Sequence, residues 1–277
     1  MPVFVYERGT GPALLFMHGF PTSCYNWRGV IDLLSDSFRC IAFDFPGYGL
    51  SAKPVAYSYS LFQQADVVES LAASLDVTKA HVISHDVGTS VHTELLARDQ
   101  EERLGFRLAS STFLNGSMLQ WLATITSFQK LLSNNETLDQ GIALCDAAGP
   151  NFVQGLKAVM KRPECLSETD VQIITDLLMY EDGNRRLPTL SGYMRERFIN
   201  KERWIGAIKA TQRPTQIVWA DGDLVANIEM GRALHDEVPA ARYTELKGLG
   251  HFLPIEAPAA VAGEIRTFIE SLPADAV

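Results

Sequence analysis

The sequence predicts an α/β fold: a mostly parallel sheet with helices on both faces and a helical segment inserted before the last strands. Three observations carry this. Largely apolar runs at 13–17, 40–43 and 80–83 are too short for helices and suit strands buried on both faces, and 108–114 and 215–219 read as further strands. Segments with helical spacing alternate with the earlier runs, as a parallel sheet requires. From about 116 to 208 the alternation stops, and only helical patterning remains.

In chain order, residues 3–6 read as a short strand, with Gly9-Thr10-Gly11-Pro12 as its turn. The run 13–17 ends in His18-Gly19-Phe20-Pro21, and a helical segment at 27–34 follows. The run 40–43 ends at Asp44 and the turn Phe45-Pro46-Gly47-Tyr48-Gly49-Leu50-Ser51. Residues 61–75 place apolar side chains at helical spacing under an acidic outer face, which predicts an amphipathic helix. The run 80–83 leads into Ser84-His85-Asp86-Val87-Gly88 and then a helical pattern over 89–98. The run 108–114 closes at Asn115-Gly116. The helical middle breaks at Gly149-Pro150, Arg162-Pro163 and Asp182-Gly183-Asn184. Strands resume at 215–219 and 242–246, and a helix over about 257–271 ends the chain. The expected division is a core domain of 1–115 and 209–277, with 116–208 as a helical cap over the sheet's carboxyl edge. Open α/β sheets bind ligands at that edge.

Composition excludes several classes of partner. The 277 residues carry a formal net charge of −9, which argues against nucleic acid and anionic membrane surfaces. Cys24, Cys40, Cys145 and Cys165 are widely spaced, arguing against a disulfide framework or zinc site and for a reducing compartment. Glu7 and Arg8 interrupt any signal-peptide apolar region. No run of about 18 apolar residues predicts a membrane span. The expectation is a cytoplasmic protein without metal or cofactor.

The chemistry centres on Asp86. A buried strand, a tight turn and a helix, with Gly88 two residues beyond the reactive side chain, form the layout of a nucleophile elbow. An ordinary helix N-cap is the competing reading of this aspartate. Ser84 would want small residues at Val82 and Asp86, and Ser90 should already lie inside the helix. The candidate base is His251, in the loop Gly248-Leu249-Gly250-His251-Phe252-Leu253-Pro254 after the last strand. His18, His81 and His85 belong to turns or strands, while His92 and His235 occupy helical positions. The candidate acid is Asp223 rather than Asp221, because it lies beyond the turn at Gly222; the alternative acid position carries neutral Asn115. The backbone N–H groups of Phe20 and Val87 are the candidate oxyanion donors.

Taken together, the His18-Gly19-Phe20-Pro21 turn, the Asp44 to Ser51 turn, the elbow, the acid strand and Gly250-His251 resemble the α/β-hydrolase superfamily over nearly the whole chain. The H-D-x-G elbow resembles its aspartate-nucleophile branch, which holds epoxide hydrolases and haloalkane dehalogenases. Ser84-His85-Asp86, Glu94-Leu95-Leu96, Asp182-Gly183-Asn184, Arg203-Trp204-Ile205-Gly206-Ala207 and residues 58–69 resemble the epoxide-hydrolase-like group that includes mesoderm-specific transcript protein. The resemblance implies an alkyl ester on Asp86, hydrolysed by water that His251 and Asp223 activate.

Dehalogenases of this kind place tryptophan after the nucleophile and asparagine or tryptophan in the first turn. Val87 and Phe20 stand there and offer no side-chain donor. Val87 also replaces the arginine of fluoroacetate dehalogenases. Epoxide hydrolases use two cap tyrosines, and only Tyr180 and Tyr193 lie in the inferred cap. Tyr193 resembles the second of them; Tyr180 is the candidate for the first, whose usual neighbourhood holds Asn134 and Asn135. The implied function is hydrolysis of an uncharged, fairly apolar epoxide to a vicinal diol, with water as the other reactant. The alternatives are a haloalkane dehalogenase with atypical halide donors and a non-catalytic binding protein of the same fold.

Overall fold

The computed structural model describes residues 1–273. β1 (Val5–Arg8), β2 (Ala13–Met17), α1 (Arg28–Leu34), β3 (Arg39–Phe43), α2 (Leu61–Ser74), β4 (Lys79–His85), α3 (Val87–Gln100) and β5 (Arg107–Leu114) form the first part of the chain. Helices follow: α4 (Ser127–Ser133), α5 (Leu138–Asp146), α6 (Pro150–Ala158), α7 (Glu168–Met179), α8 (Leu187–Leu190), α9 (Tyr193–Ile199) and α10 (Lys201–Ala210). The chain then returns through β6 (Thr215–Ala220), α11 (Ile228–Glu237), β7 (Arg242–Leu246), α12 (Leu253–Glu256) and α13 (Pro258–Glu270).

The seven strands make one sheet in the order β1-β3-β2-β4-β5-β6-β7. β1 pairs antiparallel with β3, and the other pairs are parallel. Continuous apolar runs suit the central strands because side chains alternate and both faces are covered. Leu15, Met17, Ile41, Phe43, Val82 and Trp219 pack into one layer, with α2, α3 and α10. Leu14, Phe16, Cys40, Ala42, Ile83 and Val218 pack into the other, with α1 and α13. The predicted α/β fold class is therefore the observed one. Two local differences stand out: the first strand runs two residues later than expected, and α11, indicated only by the helical position of His235, is a full helix of its own. Asn227 caps α11 by accepting from the Met230 N–H at 3.3 Å. Among the described residues, no helix is long and apolar enough to cross a membrane.

One buried ionic knot ties α3 to α10. The fully buried Glu94 carboxylate accepts from Arg98 Nε at 3.0 Å, Arg203 Nε at 2.7 Å and Trp204 Nε1 at 3.0 Å. Buried charge is tolerated when paired and hydrogen-bonded on this scale. Two sequence segments 109 residues apart, Glu94-Leu95-Leu96 and Arg203-Trp204, thus meet in space.

Candidate active site

Asp86 sits between β4 and α3 with φ 50° and ψ −116°, a left-handed conformation that a residue with a side chain adopts only at cost. Such strain is on the order of 1–3 kcal/mol and persists where the surroundings enforce it. They do so by close approach. A Cβ on Gly88 would lie 2.7 Å from the carbonyl oxygens of both Met17 and His18, and a Cβ on Gly19 would overlap the Asp86 side chain. Glycine is required at both positions for the elbow to rest on the β2 turn. Asp86 makes no side-chain cap bond to α3, so the N-cap interpretation has no geometric basis.

The carboxylate of Asp86 is buried and engaged on both oxygens. The Phe20 N–H donates to Oδ1 at 2.6 Å, and His251 Nε2 faces Oδ2 at 3.6 Å. Val87 is the first residue of α3, where an N–H has no intrahelical acceptor. On its other side His251 Nδ1 donates to Asp223 Oδ2 at 2.8 Å. Asp223 also accepts from Asn115 Nδ2 at 2.6 Å and from the N–H groups of Val225 and Ala226 at 2.7 and 3.0 Å. Asn115 in turn accepts from the Ala220 N–H at 2.9 Å. Asn115 thus clamps the acid between β5 and β6, a role hidden in the sequence because the residue reads as a strand-ending turn. Asp221 accepts from the Gly248 N–H at 2.8 Å and belongs to the turn.

The other histidines near the elbow are structural. His85 Nε2 donates to the His251 carbonyl at 2.7 Å, and burial followed by the His251 charge lowers its pKa to about 4. His18 accepts from the Phe45 N–H at 3.0 Å through Nε2 and is likewise lowered by burial. Both are neutral at pH 7. Burial would also disfavour the charges on Asp86 and His251, but their mutual attraction reverses it. The hydrogen bond and charge of His251, with Arg197 adding to them, hold Asp86 well below the usual carboxylate range. The charges of Asp223 and Asp86 raise His251 above its ordinary value. The resting site is an imidazolium between two carboxylates.

A cavity of about 440 Å³ opens onto Asp86 and His251. Its walls are mostly apolar, with Phe20, Phe128, Phe152, Leu156 and Phe252 among them, and Thr126, Ser127 and Gln129 at the start of α4 are the polar exceptions on the helical side. Phe128, Phe152 and Leu156 are among the apolar residues of the helical segment that reach the cavity, while Trp121 and Phe198 are exposed. Among the described residues, no group of three or more His, Cys, Asp or Glu is placed to hold a metal ion.

Tyr193 is buried behind this wall. Its ring lies 5.5 Å from that of Phe20, and its hydroxyl accepts from Gln129 Nε2 at 2.8 Å. Burial and then the Asp86 charge raise its pKa, against a lowering contribution from Arg197. Tyr180 does not join it. It is 42% exposed, and Lys53 Nζ lies 4.8 Å over its ring. Glu181 and Asp182 take left-handed conformations immediately after it, so the chain turns away there. The expectation of a second ring-opening tyrosine at Tyr180 is thereby corrected.

Sequence reasoning missed Arg197. Its guanidinium is buried, donates to Ser90 Oγ at 2.6 Å and to the Asp86 carbonyl at 3.3 Å, and lies 4.6 Å over the Tyr193 ring. An arginine at helical spacing ordinarily reads as a solvated face, so the sequence carried no signal for this burial.

Known proteins with related chains agree with this architecture. Over 254 residues the chain is 37% identical to LipZ of Mycobacterium tuberculosis, covering 92% of this chain and 87% of that one. It is 31% identical over 222 residues to mesoderm-specific transcript protein of Mus musculus, covering 78% of this chain and 65% of the relative. More distant relatives include proteins named haloalkane dehalogenase and epoxide hydrolase. Among solved structures, haloalkane dehalogenase DbeA of Bradyrhizobium elkani superposes with a TM-score of 0.77 at 23% identity, covering 98% of this chain and all of that one. At that identity the likeness shows the fold. A family model described as alpha/beta hydrolase fold matches residues 12–258. The chain belongs to the alpha/beta hydrolase fold family.

Proposed function

We propose that this α/β-hydrolase is an epoxide hydrolase, an ether-bond hydrolase that opens an uncharged, fairly apolar epoxide to a vicinal diol. Residues 116–208 act as the lid over its cavity. The observation that carries this is the pairing of the Asp86 nucleophile with a buried phenol, Tyr193, whose oxygen is already an acceptor and whose proton remains free to donate. An epoxide needs such an acid at its ring oxygen, and a phenol suits an alkoxide-like leaving group. A halide leaving group would instead want N–H donors, and among the described side chains neither tryptophan nor asparagine lines the cavity. The fold likeness to a dehalogenase does not distinguish the two reactions.

The steps follow from the charges. The Asp86 carboxylate attacks one ring carbon; the carbon–oxygen bond breaks, and its electron pair stays on the ring oxygen, which takes the Tyr193 proton. Asp86 is now a neutral ester. His251 has lost the anion that kept it protonated, so its proton passes through solvent to the Tyr193 phenolate. Neutral His251 then takes a proton from water, and the hydroxide attacks the ester carbonyl. The resulting oxyanion is met by the Phe20 and Val87 N–H groups. Collapse expels the diol oxygen, which takes the proton of the new carboxylic acid. Asp86 is ionised and His251 protonated again, as at the start.

The test is intact-mass spectrometry of a His251→Gln variant incubated with styrene oxide, trans-β-methylstyrene oxide, 1,2-epoxyoctane and a series of bromoalkanes. The expected product carries the mass of one whole epoxide on Asp86. Wild-type turnover of an epoxide without any adduct on the variant would refute the covalent route. An adduct formed only from bromoalkanes, with halide released, would establish the dehalogenase instead.

A further inference from the structure

We propose, resting on the epoxide reading above, that Gln129 is a positioning residue that fixes Tyr193 as a proton donor toward the cavity. The geometry is a capping box put to a second use. Gln129 is the third residue of α4. Its N–H donates to Thr126 Oγ1 at 3.2 Å, and its Oε1 accepts from the Thr126 N–H at 2.8 Å. The box consumes the carbonyl end of the amide. Only the Nε2 end is left to meet the Tyr193 hydroxyl at 2.8 Å, and that end is a donor without acceptor capacity. Amide orientation is assigned from the surrounding hydrogen bonds, and here the helix terminus assigns it.

The consequence falls on Tyr193. A phenolic oxygen that accepts from Gln129 cannot spend its own proton on Gln129. The ring cannot swing the hydroxyl elsewhere, because Arg197 covers it at 4.6 Å and Phe20 flanks it at 5.5 Å. Gln129 lines the cavity and Tyr193 lies directly behind it, so the hydroxyl that Gln129 holds is one side chain away from the cavity. As the ring oxygen takes the proton, negative charge develops on the phenolic oxygen, and the Gln129 hydrogen bond to it strengthens. Gln129 thus contributes orientation before the transfer and charge stabilisation during it, acting through Tyr193 and not on the substrate.

A single substitution separates this from a structural role. Gln129→Glu keeps the capping box, which accepts glutamate as readily as glutamine, but its carboxylate has no N–H. It would accept the Tyr193 proton and reverse the hydrogen bond. The measured quantity is the rate of Asp86 alkylation in the His251→Gln background, followed by intact mass with the three epoxides named above. At pH 8 the expected slowing is about 100-fold, the scale of a lost general acid. Lowering the pH to about 4 should recover most of it, because a glutamic acid with its ordinary pKa of about 4.3 is then mostly protonated and can donate again. The His251→Gln parent, measured at each pH, supplies the reference rate, because removing His251 takes away the hydrogen bond and charge that hold Asp86 low. In the wild-type His251 background, hydrolysis of the preformed ester should be unchanged, and adding Gln129→Glu to Tyr193→Phe should slow alkylation no further.

A Gln129→Glu protein that alkylates at the parent rate at pH 8, or that stays slow at every pH, overturns the assignment of Gln129 if Tyr193→Phe is slow. A Tyr193→Phe protein that alkylates at the parent rate removes the ring-opening acid, and Gln129 with it. Failure of all three epoxides to alkylate the parent overturns both proposals.

Discussion

Replacing Asp86 by asparagine should lower the pKa of His251 by at least about two units, and the size follows from the geometry. His251 Nε2 and Asp86 Oδ2 lie 3.6 Å apart. Two unit charges at that separation attract by about 4.6 kcal/mol at an effective dielectric constant of 20, equivalent to roughly three pH units. Asn115 and two backbone donors hold Asp223 in place, so its contribution to His251 stays and only the Asp86 part is lost. Esterification of Asp86 removes the same charge, so the asparagine variant reports the state His251 enters after alkylation. The assay is nitrogen-15 NMR of the imidazole side chains across a pH titration, with His251→Gln identifying the resonance. Stability offers an independent check. A histidine whose folded pKa is raised stabilises the fold fully below its unfolded value of 6.5, and that stability is lost as pH rises through the folded value of about 10. Wild type should therefore lose stability between these limits, and Asp86→Asn should lose less. A His251 midpoint that moves by under half a unit would refute the charge-switch account of how the base is released.

Three further substitutions test the supports of the site. Asn115→Ala leaves a buried Asp223 lone pair and the Ala220 N–H without their partner, and should lower stability by about 1–3 kcal/mol in a urea titration. Gly19→Ala places a methyl group on the Asp86 side chain and should cut turnover by about 100-fold, the scale of an ångström-level misplacement, with steady-state kinetics as the measure. Glu94→Ala strands Arg98, Arg203 and the Trp204 N–H beside an empty centre. Losing one partner of a buried ionic cluster costs about 3–5 kcal/mol; Arg98 and Arg203 keep Glu69 and Glu101, which sets the expectation at the low end, read as a fall in the guanidinium midpoint.

What could be read from the sequence was local, and what could not was relational. The runs 13–17 and 80–83 read as buried strands because all their residues but His81 are apolar, and they form β2 and most of β4. The elbow was legible because Gly88 is a steric necessity two residues beyond Asp86. Asn115 was not, since its role needs β5 beside β6, a pairing no residue in either strand announces. Tyr193 resembles a lid tyrosine by its placement, and Tyr180 reads only as a substitute for the other; that Tyr193 is buried and Tyr180 exposed is a tertiary fact. Gln129 belongs to the capping box of α4; only the tertiary contact to Tyr193, 64 positions away, gives its free end a second partner.

The knot around Glu94 has a consequence for building chimeras. Lids are natural units to exchange between relatives, and the sequence pattern would set the downstream junction near residue 208. The bonds from Arg203 and Trp204 to Glu94 make α10 part of the framework that receives a graft. A foreign lid spliced at 208 would carry away two partners of a buried anion that the recipient keeps. A junction near residue 200 leaves that anion neutralised, and Arg197, just upstream of it, becomes the residue a donor lid has to match.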